Sequence, residues 1–141
     1  MALAGAAEVT VVNRSTARGE EVAAIIDGKT PAKARYQPWE SRYRIPEGTD
    51  IVINATSIGL FPDVDAMPDI DPGSLRQEMV VADGIPNPPL TPFLKAAQAR
   101  GCRTADGLGM LVNQGIIAIR YWTGIDVDAG VMRQTLIDLK L

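Results

Sequence analysis

Histidine is absent from the 141 residues. That absence alone excludes Ser-His-Asp and Cys-His catalysis, HExxH zinc sites and histidine proton relays. There is one cysteine, Cys102, so neither an internal disulfide nor a cysteine-rich metal site can form, and a reducing cytoplasm is expected. No apolar run approaches the ~18 residues that would span a membrane. The start of the chain has no basic region leading into an apolar core, so it does not read as a signal peptide. Positive charge is not in excess either. Fourteen basic residues against seventeen acidic ones leave a net charge of −3, the wrong sign for an electrostatic nucleic-acid binder. Proline is missing from the last 49 residues, whereas nine of the ten prolines fall between Pro38 and Pro92. The middle of the chain is therefore expected to be rich in loops and the last third free to be helical.

What is present is a chain long enough for one self-sufficient core, with 46% hydrophobic residues. Glu8 to Asn13 is rich in β-branched residues and reads as a strand covered on both faces. Ser15 or Thr16 can cap a helix running to about Asp27, with Val22, Ile25 and Ile26 inward and Gly28 as its stop. Further strands are expected at Ala34–Pro38, Asp50–Asn54, Met79–Ala82 and Cys102–Ala105. Thr91 with Pro92 starts a helix that Gly101 ends. Two more helices, about Gly109–Trp122 and Ala129–Leu139, close the chain. This alternation implies an α/β fold with a largely parallel sheet.

In such sheets ligands bind beyond the carboxyl ends of the strands. Four small or polar clusters sit there: Asn13-Arg14-Ser15, Asn54-Ala55-Thr56-Ser57, Ala82-Asp83-Gly84 and Ala105-Asp106-Gly107. Arg14 and Arg18 oppose the helix dipole and suit an anionic ligand such as the 2′-phosphate of NADP. They read equally well as solvated surface charges. Asn54, Thr56 and Ser57 offer groups for ribose or substrate hydroxyls, or simply an Asx and Ser/Thr turn. Asp63, Asp65, Asp69 and Asp71 lack the glycine and glutamate of an EF-hand loop and read as solvated, so no metal site is expected. The run Asp106-Gly107-Leu108-Gly109-Met110-Leu111-Val112-Asn113-Gln114 is the most unusual. Its glycines let a flat ring approach the backbone, Met110 gives a soft wall, and Gln114 lies one turn on. The plain alternative is a helix start with a core methionine.

That run resembles the C-terminal, NADP-binding domain of the shikimate dehydrogenase family. Asn13-Arg14-Ser15 with Arg18, Ile53 to Leu60, Asp83, Asn87-Pro88, Thr91-Pro92 and Trp122-Thr123-Gly124 match it in order. The resemblance implies a Rossmann-like parallel sheet with flanking helices and NADP-dependent oxidation of shikimate to 3-dehydroshikimate. It implies that Asn13, Arg14, Ser15 and Arg18 hold the 2′-phosphate. Asn54, Thr56 and Ser57 would line the cofactor cleft, Gly84, Gly107, Met110 and Leu111 would flank the nicotinamide, and Gln114 would contact the substrate.

Three departures accompany the resemblance. The glycine-rich phosphate loop and the first strand are missing, so the sheet is expected to be incomplete. The N-terminal substrate domain, with the family's catalytic lysine and aspartate, is missing, so no catalytic residue is expected within residues 1–141 and the chain is read as a domain fragment. Pro86 replaces a tyrosine and Gly84 a larger apolar residue, which opens a quinate-dehydrogenase-like specificity. Without the first strand, the Glu8 and Asp50 strands lose their shared neighbour and expose edges through which copies could associate. Two other readings stand beside this one. One is a non-catalytic binding module derived from the fold. The other is a different two-domain Rossmann enzyme, of the methylene-tetrahydrofolate dehydrogenase or glutamyl-tRNA reductase kind, against which the Asp106–Gln114 run argues.

Overall fold

A computed structural model describes residues 1–139. It divides into two compact units, Met1–Tyr43 and Arg44 onward.

The first unit contains β1 (Glu8–Asn13), α1 (Thr16–Lys29) and β2 (Lys33–Pro38). β1 and β2 pair in parallel, Glu8 opposite Lys33 through Asn13 opposite Pro38. The Ser15 side chain accepts the Arg18 N–H and caps α1. The helix runs through Gly28 to Lys29. It stops at Thr30, whose backbone and hydroxyl both donate to the Ile26 carbonyl. Its buried positions are Gly19 and Ala23. Val22 and Ile25, expected inward, are 44% and 48% exposed. The reason is steric: Gly19 lets the helix lie directly against the Tyr36 ring, which turns the Gly19–Ala23 face toward the strands.

The second unit contains β3 (Ile51–Asn54), β4 (Val80–Asp83), α2 (Pro92–Ala99), β5 (Arg103–Ala105), α3 (Gly107–Thr123) and α4 (Ala129–Asp138). Its sheet is parallel in the order β3-β4-β5. Leu75, Met79, Val81, Phe93, Leu94 and Leu108 form the core and are essentially inaccessible. Each contributes roughly 1.5–3 kcal/mol by leaving water. Pro92 at the first helical position and Thr91 as cap start α2, and Gly101 beyond it adopts φ +79. Gly107 and Gly109 lie within the first turn of α3 rather than before it, because Asp106 caps the helix.

The fold is α/β with parallel strands and flanking helices, as expected. Among the described residues β1 pairs only with β2 and β3 only with β4, so each has an edge outside any ladder, and the direct β1–β3 pairing that would remove the expected gap is absent. On β3, Ile51 and Ile53 are exposed, while Asn54 is buried. Among the described residues, no helix is long and apolar enough to cross a membrane.

Candidate functional site

The carboxyl end of β1 is a pre-shaped turn. The Asn13 side-chain oxygen accepts the Ser15 N–H at 2.9 Å, and the Tyr36 hydroxyl donates to the Asn13 carbonyl at 3.0 Å. Asn13 and Ser15 thus spend their side-chain oxygens on the turn and the helix cap. They leave Arg14 and Arg18 exposed, with no acid in the first turn of α1. Among the described residues neither guanidinium has a hydrogen bond or ion pair. Two unpaired guanidiniums beside a capped helix start form an anion-receptive surface, since Arg presents a rigid donor fork that fits phosphate.

In the second unit, Asn54 is 5% exposed and fully engaged. Its amide nitrogen donates to the Ile58 carbonyl and to Asp83 Oδ1. Its oxygen accepts the N–H and hydroxyl of Thr56 at 3.1 and 2.7 Å. Asn54 therefore holds the turn, and Thr56 and Ser57 are the exposed groups on it. Asp83 is also buried. Its Oδ1 accepts from Asn54 at 3.0 Å and from the Ile85 N–H at 3.0 Å, and its Oδ2 accepts the Thr91 hydroxyl at 2.6 Å. Thr91 in turn accepts the Leu94 N–H as the cap of α2. One carboxylate thereby joins the ends of β3 and β4 to the start of α2.

The beginning of α3 meets that network through glycine. A Cβ on Gly107 would lie 2.5 Å from both the carbonyl carbon and oxygen of Ile85, and 2.6 Å from the carbonyl carbon of Gly84. Only glycine lets the two backbones touch in this way. Leu108 and Val112 face the core, which leaves Met110 and Leu111 51% and 41% exposed. Gln114, one turn beyond Met110, is exposed as well. Asp106 accepts the Gly109 N–H and pairs with Arg133 of α4 through both carboxylate oxygens. The Arg133 guanidinium holds the Asp106 carboxyl below its ordinary value. This contact packs the start of α3 tightly on the turn after β4, and Met110, Leu111 and Gln114 are exposed side chains beside it.

Other parts of the molecule are chemically quiet. Burial pushes the Cys102 thiol pKa up, and its sulfur donates to the Arg76 carbonyl, so it is a poor nucleophile. Among the described residues no cluster of carboxylates and cysteine is arranged to hold a metal ion.

The chain is similar to known proteins. A family model described as the shikimate 5′-dehydrogenase C-terminal domain matches residues 107–137. A shikimate dehydrogenase (NADP(+)) of Methanococcus aeolicus is 37% identical over 131 residues, covering 93% of this chain and 47% of that protein. The ligand-free 5-ketofructose reductase of Gluconobacter sp. strain CHM43 superposes with a TM-score of 0.91 at 55% identity, covering 98% of this chain and 50% of that one. Over nearly all of its length the chain is similar to the C-terminal half of shikimate dehydrogenases. It spans about half the length of the curated relatives it matches. A shikimate dehydrogenase solved in complex with NADP+ also superposes on it, with a TM-score of 0.84 at 35% identity and 95% and 47% coverage.

The structure gathers Asn54, Thr56, Gly84 and Gly107 around the ends of β3, β4 and β5. Asn13, Arg14, Ser15 and Arg18 form the separate cluster on the first unit. Three contributors build the site beyond the residues assigned to it from the sequence: Asp83 as a hub, Thr91 beyond its role as a helix cap, and Arg133 as the partner of Asp106. The polar cluster at 82–84 pointed to the first. Nothing in the sequence pointed to Arg133, which lies 27 residues from its partner.

Proposed function

We propose that this chain is the cofactor-binding half of an NADP-dependent oxidoreductase of the shikimate dehydrogenase type, acting in the cytoplasm. The observation that carries the reading is the backbone contact between Gly107 and Gly84–Ile85, rimmed by exposed Met110 and Leu111. The exposed rim beside that contact would take the face of a nicotinamide ring. Bound there, the cofactor would supply the hydride acceptor or donor. Thr56 and Ser57 would line the cleft, Gln114 would contact the substrate, and Arg14 and Arg18 with the Asn13–Ser15 turn would take the 2′-phosphate. The proton-transfer residues are assigned to a substrate half that is not part of these 141 residues. Exposed Ile117, Tyr121 and Trp122 on α3 support such a neighbour, since large apolar side chains at that density favour a covering surface.

The family's reaction, shikimate to 3-dehydroshikimate, is the first substrate to test. The 55% identity to a 5-ketofructose reductase favours a second reading, reduction of a polyhydroxylated ketone. The exposed sheet edges support self-association as a further feature of the assembly. The deciding experiment follows NADPH absorbance in the protein at its native length, with shikimate, quinate and 5-ketofructose and with both NADP(H) and NAD(H). Turnover of one of these with a preference for NADP(H) is expected. The absence of any cofactor binding at millimolar concentration would instead support a non-catalytic module.

A further inference from the structure

Asp83 is a buried carboxylate, 3% exposed, at the carboxyl end of β4. Its three partners are all donors: the Asn54 amide, the Ile85 N–H and the Thr91 hydroxyl, whose own acceptor role is taken up by the Leu94 N–H. No lysine or arginine pairs with it among the described residues. A buried anion without a cation is expensive to maintain, and here three donors rather than a counter-charge hold it. Its position is specific. It directly precedes Gly84 and bonds to Ile85, the two residues whose backbone meets Gly107.

We propose that Asp83 is the residue that sets the preference of this site between the oxidised and reduced forms of its cofactor. The inference rests on the nicotinamide reading given above. A nicotinamide ring carries a positive charge only when oxidised. A fixed negative charge in a poorly solvated interior acts on such a ring with little screening, so it favours the oxidised form and leaves the neutral reduced form almost unaffected. Three fixed donors keep the charge in place without neutralising it. Asn54 and Thr91 are positioning residues for the carboxylate, not cofactor contacts in their own right.

The test is a pair of binding titrations on the protein at its native length, with NADP+ and NADPH as probes, read by calorimetry and by nucleotide fluorescence. Asp83→Asn keeps the volume of the side chain, retains an oxygen for Asn54 and Ile85, and lets its new amide donate to the Thr91 oxygen. The charge is removed, and the Thr91 hydroxyl loses the acceptor it has in the parent. The ratio of the NADP+ to the NADPH dissociation constant should rise about tenfold, the scale of one unit charge acting through a protein interior. Nearly all of the change should lie in NADP+. Asp83→Ser, which also removes the charge but leaves room for a water molecule, should move the ratio in the same direction. An unchanged ratio, or equal weakening of both forms, overturns the proposal and makes Asp83 a purely structural hub. Failure of both variants to fold overturns it in the same sense. A parent protein that binds neither nucleotide overturns the nicotinamide reading itself, a different result from binding both with an unmoved ratio.

Discussion

The two candidate sites, one in each unit, are built on opposite principles. At the end of β1, the chemistry is carried by exposed and unpaired cations, Arg14 and Arg18, held on a turn that Asn13 and Ser15 fix. At the ends of β3 and β4, it is carried by backbone geometry and a buried carboxylate, with almost no free charge at the surface. The difference follows from what each would hold. A phosphate is recognised by rigid donors that are accessible to it, and such donors need little support from a core. A flat ring is recognised by shape, and shape requires two backbones pressed together with side chains excluded. The first design should tolerate substitution without unfolding, and the second should not.

Glycine substitution gives the largest contrast. Gly107→Ala places a Cβ 2.5 Å from the Ile85 main chain, where no flexible group can yield. A loss of about 3 kcal/mol is expected in urea unfolding, together with loss of NADPH binding. In the first unit, Gly19→Ala drives a Cβ to 2.3 Å from the Tyr36 ring, a side chain that can rotate away. Part of that cost is offset by the roughly 1 kcal/mol helical gain of alanine over glycine. A net loss near ~1 kcal/mol is expected. Equal losses at the two glycines would break the comparison.

Charge removal should behave in the opposite way. Arg14→Ala or Arg18→Ala should raise the Michaelis constant for NADP about tenfold each, the scale of one lost charge-assisted hydrogen bond. The constant for NAD, and the urea midpoint, should remain within error, because both side chains are exposed and unpaired. Equal effects on the two cofactors would remove the 2′-phosphate role. Gln114→Ala is the corresponding probe of the second unit's surface. Its side chain is exposed, so turnover should fall while NADPH binding and stability stay unchanged. A loss confined to cofactor binding would reassign that residue.

The same contrast explains what could be read from the sequence. The strand and helix order was legible because it rests on local signals: β-branched runs at Glu8–Asn13 and Ile51–Asn54, Thr91-Pro92 at a helix start, Gly101 at a stop. The arginine pair was legible because its environment is the turn it belongs to. The inward faces were not. Val22 and Ile25 look like core residues by composition, but a glycine at position 19 and the Tyr36 ring decide which way α1 turns. Asn54 looks like a ligand donor. Its local bonds to Thr56 and Ile58 make it the Asx-turn organiser that the sequence also allowed, but its pairing with Asp83, 29 residues away, had no local signal. Long-range pairing of polar groups has no periodicity, so no sequence pattern announces it.

The smallest effect concerns Asp106 and Arg133, the ion pair that ties the capped start of α3 to α4. The pair is partly exposed, with side chains 25% and 38% accessible, so solvent screens it. Asp106→Asn retains an N-cap oxygen and loses the charge with one of the two bonds to Arg133, for an expected cost of about 0.5–1 kcal/mol. The pH dependence separates this from a packing change. Arg133 holds the folded-state Asp106 pKa below the ordinary value of 3.8. The unfolded chain therefore takes up the proton first as pH falls. The contribution of the pair is complete above 3.8 and is lost progressively below it, through the lowered folded-state value. Unfolding free energies of parent and Asp106→Asn should accordingly differ at neutral pH and converge as the pH falls below 3.8. Differences that persist undiminished in acid would show that the carboxylate acts through the helix cap alone, and that α4 is held by its apolar contacts rather than by charge.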